Sequence, residues 1–213
     1  MKVVLLGATG FVGSALLGEA LSRELEVTAI ARHPEKLASQ EGLVAKAGDV
    51  YDPGLLATLI EGHAALISAF NPGWKNPSLY DDQVRGTASI IKAVKTAGIK
   101  RILWVGGASG LEVKPGVRML DGPGLPDWVR PGALATFNAL EQLRKEPELE
   151  WTYLAPSADL FPGERTGKFR LGTDQLLVDA NGQSRISVQD YAVAMLDELE
   201  KPQHIHQRFT VGY

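Results

Sequence analysis

The sequence predicts an α/β fold, a Rossmann-type doubly wound parallel sheet with helices on both faces, and three observations predict it. An apolar run, Lys2–Leu6, leads directly into Gly7-Ala8-Thr9-Gly10-Phe11-Val12-Gly13 and then into Ser14-Ala15-Leu16-Leu17, a strand, a glycine turn and the start of a helix. Apolar runs and amphipathic segments then alternate to the end of the chain, as βαβ units require. With 213 residues, 45% of them hydrophobic and 22% charged, the chain can bury one full core. We therefore expect a single three-layer α/β/α domain over residues 1–213, with a small substrate-side region built from about 106–130 and 156–185.

The elements follow in order. After the first strand and helix, Val27–Ile30 is the second strand and Leu43–Ala47 the third. Leu55–Ile60 gives a short helix and Ala64–Ser68 the fourth strand. Asp82–Ala97 is the clearest helix, with Val84, Ala88, Ile91 and Val94 on one face and Gly98 at its end. Arg101–Val105 is the fifth strand, Leu134–Arg144 a helix and Trp151–Leu154 the sixth strand. Ser187-Val188-Gln189-Asp190 has the form of a capping box, opening a helix that runs to about Glu200 before Pro202 stops it. Arg208–Tyr213 is the final strand.

The first residues also admit a secretory-signal reading, since Met1-Lys2 precedes a long apolar stretch. Three glycines would break its apolar helix, and Glu19 stands where a small-residue cleavage site should follow. Composition favours the cytoplasm. There is no cysteine, which excludes disulfides and thiolate metal sites, and no apolar run approaches the ~18 residues of a membrane span. A net charge of −3 provides no general attraction to nucleic acid.

The glycine turn points to a dinucleotide. Gly7 permits the tight turn, Gly10 the close approach of backbone to pyrophosphate, and Gly13 close packing of helix on strand. Unpaired N–H groups and the helix dipole then favour the phosphates. A carboxylate at the end of the second strand would bind the ribose diol of NAD, but this strand ends Ala31-Arg32-His33. A guanidinium there suits a 2′-phosphate, so NADP(H) is expected over NAD(H), with Arg32 as the clamp and Lys36 as helper. Asp49 and Val50, after the third strand, are placed to meet the adenine ring.

The acceptor chemistry is constrained by an omission. Reducing a simple carbonyl calls for a proton donor, commonly a tyrosine with a lysine four residues on. Tyr51, Tyr80, Tyr153, Tyr191 and Tyr213 all lack that lysine. An acceptor that spreads the incoming charge over its own rings, a flavin or a quinone, does not need the acid.

The chain resembles the atypical short-chain dehydrogenases, in particular the single-domain NAD(P)H-binding group named NADH–flavin reductases. The likeness covers essentially the whole chain. It is carried by Gly7–Gly13, Arg32–Lys36, Val105–Glu112, Pro162–Lys168, Ser187–Ala192 and Arg208–Tyr213. It implies that the loops Ser68–Trp74, Gly106–Leu111 and Ala155–Asp159 form the nicotinamide and substrate side of the cleft. Ser68, Ala69, Phe70, Gly106, Gly107, Pro156 and Ser157 are then cofactor contacts, the last two through backbone to the carboxamide. The group often reads Gly-Gly-Ala-Gly-Ser where this chain has Gly106-Gly107-Ala108-Ser109-Gly110. Ser109 is the polar candidate beside the reacting ring, either bonding an acceptor oxygen or fixing its loop.

Phe70, Pro72 and Trp74 make an apolar lip suited to a flat aromatic substrate, with ordinary loop packing as the competing account. Gly163–Lys168 reads as a turn between exposed strands, in which Arg165 and Lys168 either meet an anionic substrate such as a flavin phosphate or are simply solvated. Flavin is expected as substrate, not as a resident cofactor. Two other functions share these features: a non-catalytic NADP(H) sensor, and a sugar-nucleotide epimerase or dehydratase. No metal is expected, since His204-x-His206 lacks acidic or cysteine partners nearby. Tyr191 and Met195 read as core, and Glu198–Glu200 as a solvated face.

Overall fold

The computed structural model describes Met1–Tyr213. In β1 (Lys2–Leu6), Val3 and Leu5 point to one side of the sheet and Val4 and Leu6 to the other, all four buried. A strand apolar on both faces needs cover on both, and this one has it. Helices α1 (Phe11–Ser22) and α5 (Val188–Glu200) pack over the Val3 side. On the Val4 side lie α2 (Pro53–Ile60), α3 (Leu79–Thr96) and α4 (Arg130–Leu143).

The remaining sheet strands are β2 (Glu26–Ala31), β3 (Leu43–Ala47), β4 (Ala65–Ser68) and β5 (Arg101–Val105). A small hairpin, β6 (Glu112–Lys114) with β7 (Val117–Arg118), follows β5. Then come β8 (Glu150–Ala155), β9 (Asp159–Phe161), β10 (Arg170–Gly172), β11 (Arg185–Ser187) and β12 (Gln207–Gly212). The main sheet has the order β10-β12-β8-β5-β4-β1-β2-β3. From β1 the chain builds outward through β2 and β3, then returns to β4 on the other flank of β1. That reversal is the switch point at which such sheets open a crevice beyond their strand ends.

The sheet is not wholly parallel, as the alternation implied. β10 runs antiparallel to β12 at the edge, while β9 and β11 form a separate parallel pair. These three-residue strands pair with distant segments and carry no periodic signal. Ser187 caps α5 as expected, accepting from the Asp190 N–H at 3.0 Å. The Asp190 carboxylate does not complete the box; it takes the N–H groups of Thr166 and Gly167, each at 2.8 Å, and the Tyr213 hydroxyl.

Glu198 is also not on a solvated face. It is 4% exposed and pairs with Arg101 at 3.0 Å, tying α5 to β5. Burial pushes its pKa up, but hydrogen bonds from His204 and the Gln203 N–H outweigh that and hold it below the usual carboxylate range. His204 is thus occupied by Glu198, and His206 by the Leu149 carbonyl oxygen. No group of three metal-ligating side chains occurs, and no helix is long and apolar enough to cross a membrane.

Candidate functional site

The crevice begins where the chain leaves β1. Gly7 has φ +80°, and a Cβ there would stand 2.3 Å from the Ala69 carbonyl oxygen after β4. Gly13 is more constrained still, because its Cβ would meet the Gly7 carbonyl oxygen at 1.9 Å. The turn folds this tightly only with glycine at both positions. Gly10 then caps α1 with no side-chain hydrogen bond, and the first helical turn holds no acidic residue. Its N–H groups and the positive end of the helix are left for an anion, which fits a pyrophosphate.

Phe70 divides the crevice into two halves. On the β2–β3 side a cavity of about 250 Å³ is lined by Gly7, Thr9, Gly10, Arg32, Asp49, Val50, Ala69 and Phe70, all expected from the sequence. Arg32 is exposed at its rim and forms no hydrogen bond or ion pair with the protein. A cluster that the sequence did not flag closes this half. The Tyr51 ring stands edge-on to Phe70 at 5.9 Å and carries the Arg85 guanidinium over its face at 4.3 Å. Its hydroxyl donates to the Asp82 carbonyl oxygen at 3.3 Å, and the Asp82 carboxylate accepts from Asn76 and Arg85. Burial, then the nearby Asp82 charge, raises the Tyr51 pKa.

The other half is a cavity of about 550 Å³ toward β5 and β8. Phe11, Val12, Gly13, Ala69, Phe70, Trp74, Gly106, Gly107, Ser109, Pro156 and Ser157 all line it, as expected. Met119 and Val129, within the expected substrate-side region 106–130, also line it, whereas Gln83 and the Gly132-Ala133-Thr136 edge of α4 were not foreseen. Gly132 allows the Trp74 ring to lie against α4, since a Cβ there would come within 2.5 Å of it. Trp74 also meets Trp128 edge-on at 6.3 Å, at the open mouth.

No Asp, Glu, His, Lys, Arg or Tyr side chain lines this half. Tyr153 lies just behind the wall, fully buried, with its hydroxyl accepting from the Gly107 N–H and donating to the Thr136 carbonyl oxygen, both at 3.0 Å. Burial pushes its pKa up to about 12, so it remains a neutral strut for the glycine loop. A Cβ on Gly106 would strike its ring at 2.2 Å, which explains a glycine at that place. Ser109 sits in a short 3-10 turn, with one long hydrogen bond, 3.4 Å, to the Ala133 carbonyl oxygen. Ser157 donates to the Val211 carbonyl oxygen at 2.9 Å, so its hydroxyl is committed to β12.

Five expected contacts fall outside both halves. Ala8 and Lys36 line a separate hollow behind the glycine turn, which shares Thr9 with the crevice, because the chain after β2 bends back over α1. Ser68 is 1% exposed with its hydroxyl turned into the protein interior, as the last residue of a fully buried strand. Lys168 is exposed away from the cavity. Arg165 is drawn off by Glu19, gripping its carboxylate at 2.7 and 2.8 Å on the α1–α5 side. The turn Gly163–Lys168 is pinned to α1 and α5 by Glu19, Gln189 and Asp190.

A family model described as NAD(P)H-binding matches residues 7–199. A solved structure from Bacteroides thetaiotaomicron, provisionally named an epimerase, is 48% identical, covers 100% of this chain and 96% of its own, and superposes with a TM-score of 0.93. The uncharacterised protein YwnB of Bacillus subtilis is 38% identical over 99% of this chain and 98% of its own. A structure from Streptococcus pneumoniae, provisionally named an NADH-flavin reductase, is 32% identical over 100% of this chain and 99% of its own, with a TM-score of 0.84.

Proposed function

The chain belongs to the NAD(P)H-binding family, and from that premise we propose that it is an NADPH-dependent reductase of neutral, flat aromatic acceptors, a flavin or a quinone. When bound, NADPH supplies a hydride from its nicotinamide ring. The first turn of α1 holds the pyrophosphate and Arg32 takes the 2′-phosphate. Gly106, Gly107 and the backbone of Pro156 and Ser157 form the wall beside the nicotinamide. Trp74 and Phe11 cover the acceptor, and Ser109 orients it.

One observation carries this reading: the larger cavity has no ionisable side chain on its wall. Such a wall cannot deliver a proton to an isolated carbonyl, so the acceptor has to delocalise the hydride's charge and draw its proton from water. The same observation weighs against an epimerase, although the Bacteroides relative carries that name. Epimerisation through a keto sugar needs a base for the sugar hydroxyl, and none faces this cavity. It also favours riboflavin or a plain quinone over FMN, because no cation waits for a phosphate. We place the reaction in the cytoplasm.

The test is NADPH oxidation by the purified protein with riboflavin, FMN, a simple quinone and an aldehyde. Turnover with a ring acceptor and none with the aldehyde is expected, with a rate nearly flat around neutral pH. Tight NADPH binding without turnover on any acceptor would end the enzyme reading and make the protein a cofactor sensor.

A further inference from the structure

Gln83 sits near the start of α3 on its buried face and is 2% exposed. Its Nε2 donates to the Phe70 carbonyl oxygen at 3.4 Å, which fixes the orientation of the amide, since only the nitrogen end can donate there. The other end, Oε1, is buried and accepts from no group of the protein. A buried acceptor without a donor bears its full desolvation cost, and native structures rarely leave one so. Gln83 belongs to the wall of the neutral cavity. No donor stands on the protein side, and Gln83 borders this cavity, from which a ligand could supply one.

The position of Gln83 identifies the donor. It lines the neutral half and not the charged half, while its partner Phe70 lines both, so Gln83 stands just past the seam. A dinucleotide with its pyrophosphate on α1 and its adenine toward Arg32 would pass its second ribose across this seam, with its nicotinamide farther along, toward Gly107 and Pro156. A sugar hydroxyl donates; a carboxamide oxygen accepts. Resting on the reading of the crevice as an NADP(H) site, we propose that Gln83 Oε1 accepts a hydrogen bond from a hydroxyl of the nicotinamide-side ribose. Gln83 is then a positioning residue: it sets the sugar, and through the sugar the height of the nicotinamide against the β5 loop.

The test compares two ligands by direct titration, needing no turnover. NADPH carries the second ribose; 2′-phosphoadenosine 5′-diphosphate ends at the pyrophosphate. Gln83→Met keeps the length of the side chain but removes the amide. It is expected to weaken NADPH about tenfold while leaving the shorter ligand within about twofold. Gln83→Asn, which withdraws the amide by one methylene and keeps both polar atoms, should give the same selective loss. Unchanged NADPH affinity in both variants, or a proportional fall for both ligands, would overturn the proposal and leave Gln83 a prop for Phe70. A wild-type chain that binds neither ligand would instead overturn the reading of the crevice itself.

Discussion

On one side of Phe70 the crevice wall carries Arg32, Asp49 and Asp82; on the other it carries nothing that ionises near neutral pH. The two halves share a floor, the glycine turn, and differ in almost everything else. In the proposed NADPH complex the charged half has fixed anions to recognise, and an unpaired guanidinium would do that through directional, charge-assisted hydrogen bonds. The neutral half encloses about twice the volume and offers apolar surface, backbone amides and a few neutral polar groups. Recognition is thus concentrated where the ligand is charged. Where chemistry is proposed, the protein supplies shape and exclusion of water, and the ligands supply the reactivity.

The largest expected effect tests the charged half. Arg32→Ala should weaken NADPH about 10- to 100-fold, the range expected for losing charge-assisted hydrogen bonds to a phosphate. NADH should lose little. The wild-type preference should also shrink as ionic strength rises, because Arg32 stands exposed at the rim. Titrations of both cofactors at two salt concentrations measure this. Equal losses for NADPH and NADH would remove the contrast between the halves, leaving Arg32 a bystander.

A smaller effect tests the neutral half through Tyr153, a titratable group directly behind its wall. Tyr153→Phe removes the hydroxyl that joins Gly107 to Thr136, at a cost of about 1–2 kcal/mol in stability. Turnover should fall less than tenfold and keep the wild-type pH profile, whereas loss of a general acid would cost roughly 10²–10⁴. Alkaline unfolding gives a second measure. The phenol's pKa is raised in the fold from near 10 to about 12, so folding favours the neutral form. Its contribution is complete below pH 10 and is lost as pH rises toward about 12, and the Phe variant should lack that component. A collapse in turnover with a shifted pH profile would turn Tyr153 into a catalytic acid and end the picture of a neutral half.

What the sequence made legible follows the same division of the molecule. The glycine turn, the place of Arg32 at the crevice rim and the long sheet strands were readable because each depends on neighbours close in sequence or on an apolar run. The buried face of α3 was displaced by a step. Ile91 and Val94 are buried as expected, but Val84 is only half-buried and Ala88 is exposed, while Gln83, Gly86, Thr87 and Ile90 turn inward. Polar types on that stripe hid its period, although Gln83, Thr87, Ile90 and Val94 fall at helical spacing. Glu19 carried a signal that went unused. A glutamate set among Leu16, Leu17, Ala20 and Leu21 on a helix apolar nearly all round implies a buried carboxylate that needs a cation. One partner, Arg23, stands four residues on and within reach of helical spacing, but the other, Arg165, lies 146 residues away, a distance at which spacing rules are silent. The short strands β9, β10 and β11 failed for that reason too.

Arg165 gives the smallest expected effect and the sharpest check on whether the neutral half borrows charge from outside. Glu19, 4% exposed, receives Arg165 through two hydrogen bonds and Arg23 through an ion pair at 2.7 Å. The hydrogen bond from Arg165, joined by Arg23 and opposed by burial, holds the Glu19 pKa below its usual value. A depressed carboxylate contributes stability that is present at neutral pH and lost as pH falls through the folded value. Arg165→Ala leaves Arg23 in place, so Tm at neutral pH should fall by only about 3 °C. The acid transition should begin at higher pH, because Glu19 then takes up its proton sooner. The ratio of riboflavin to FMN turnover should not move. A selective rise in the KM for FMN would mean that Arg165 leaves Glu19 to meet the substrate phosphate, and the neutral half would then be neutral only until its acceptor arrives.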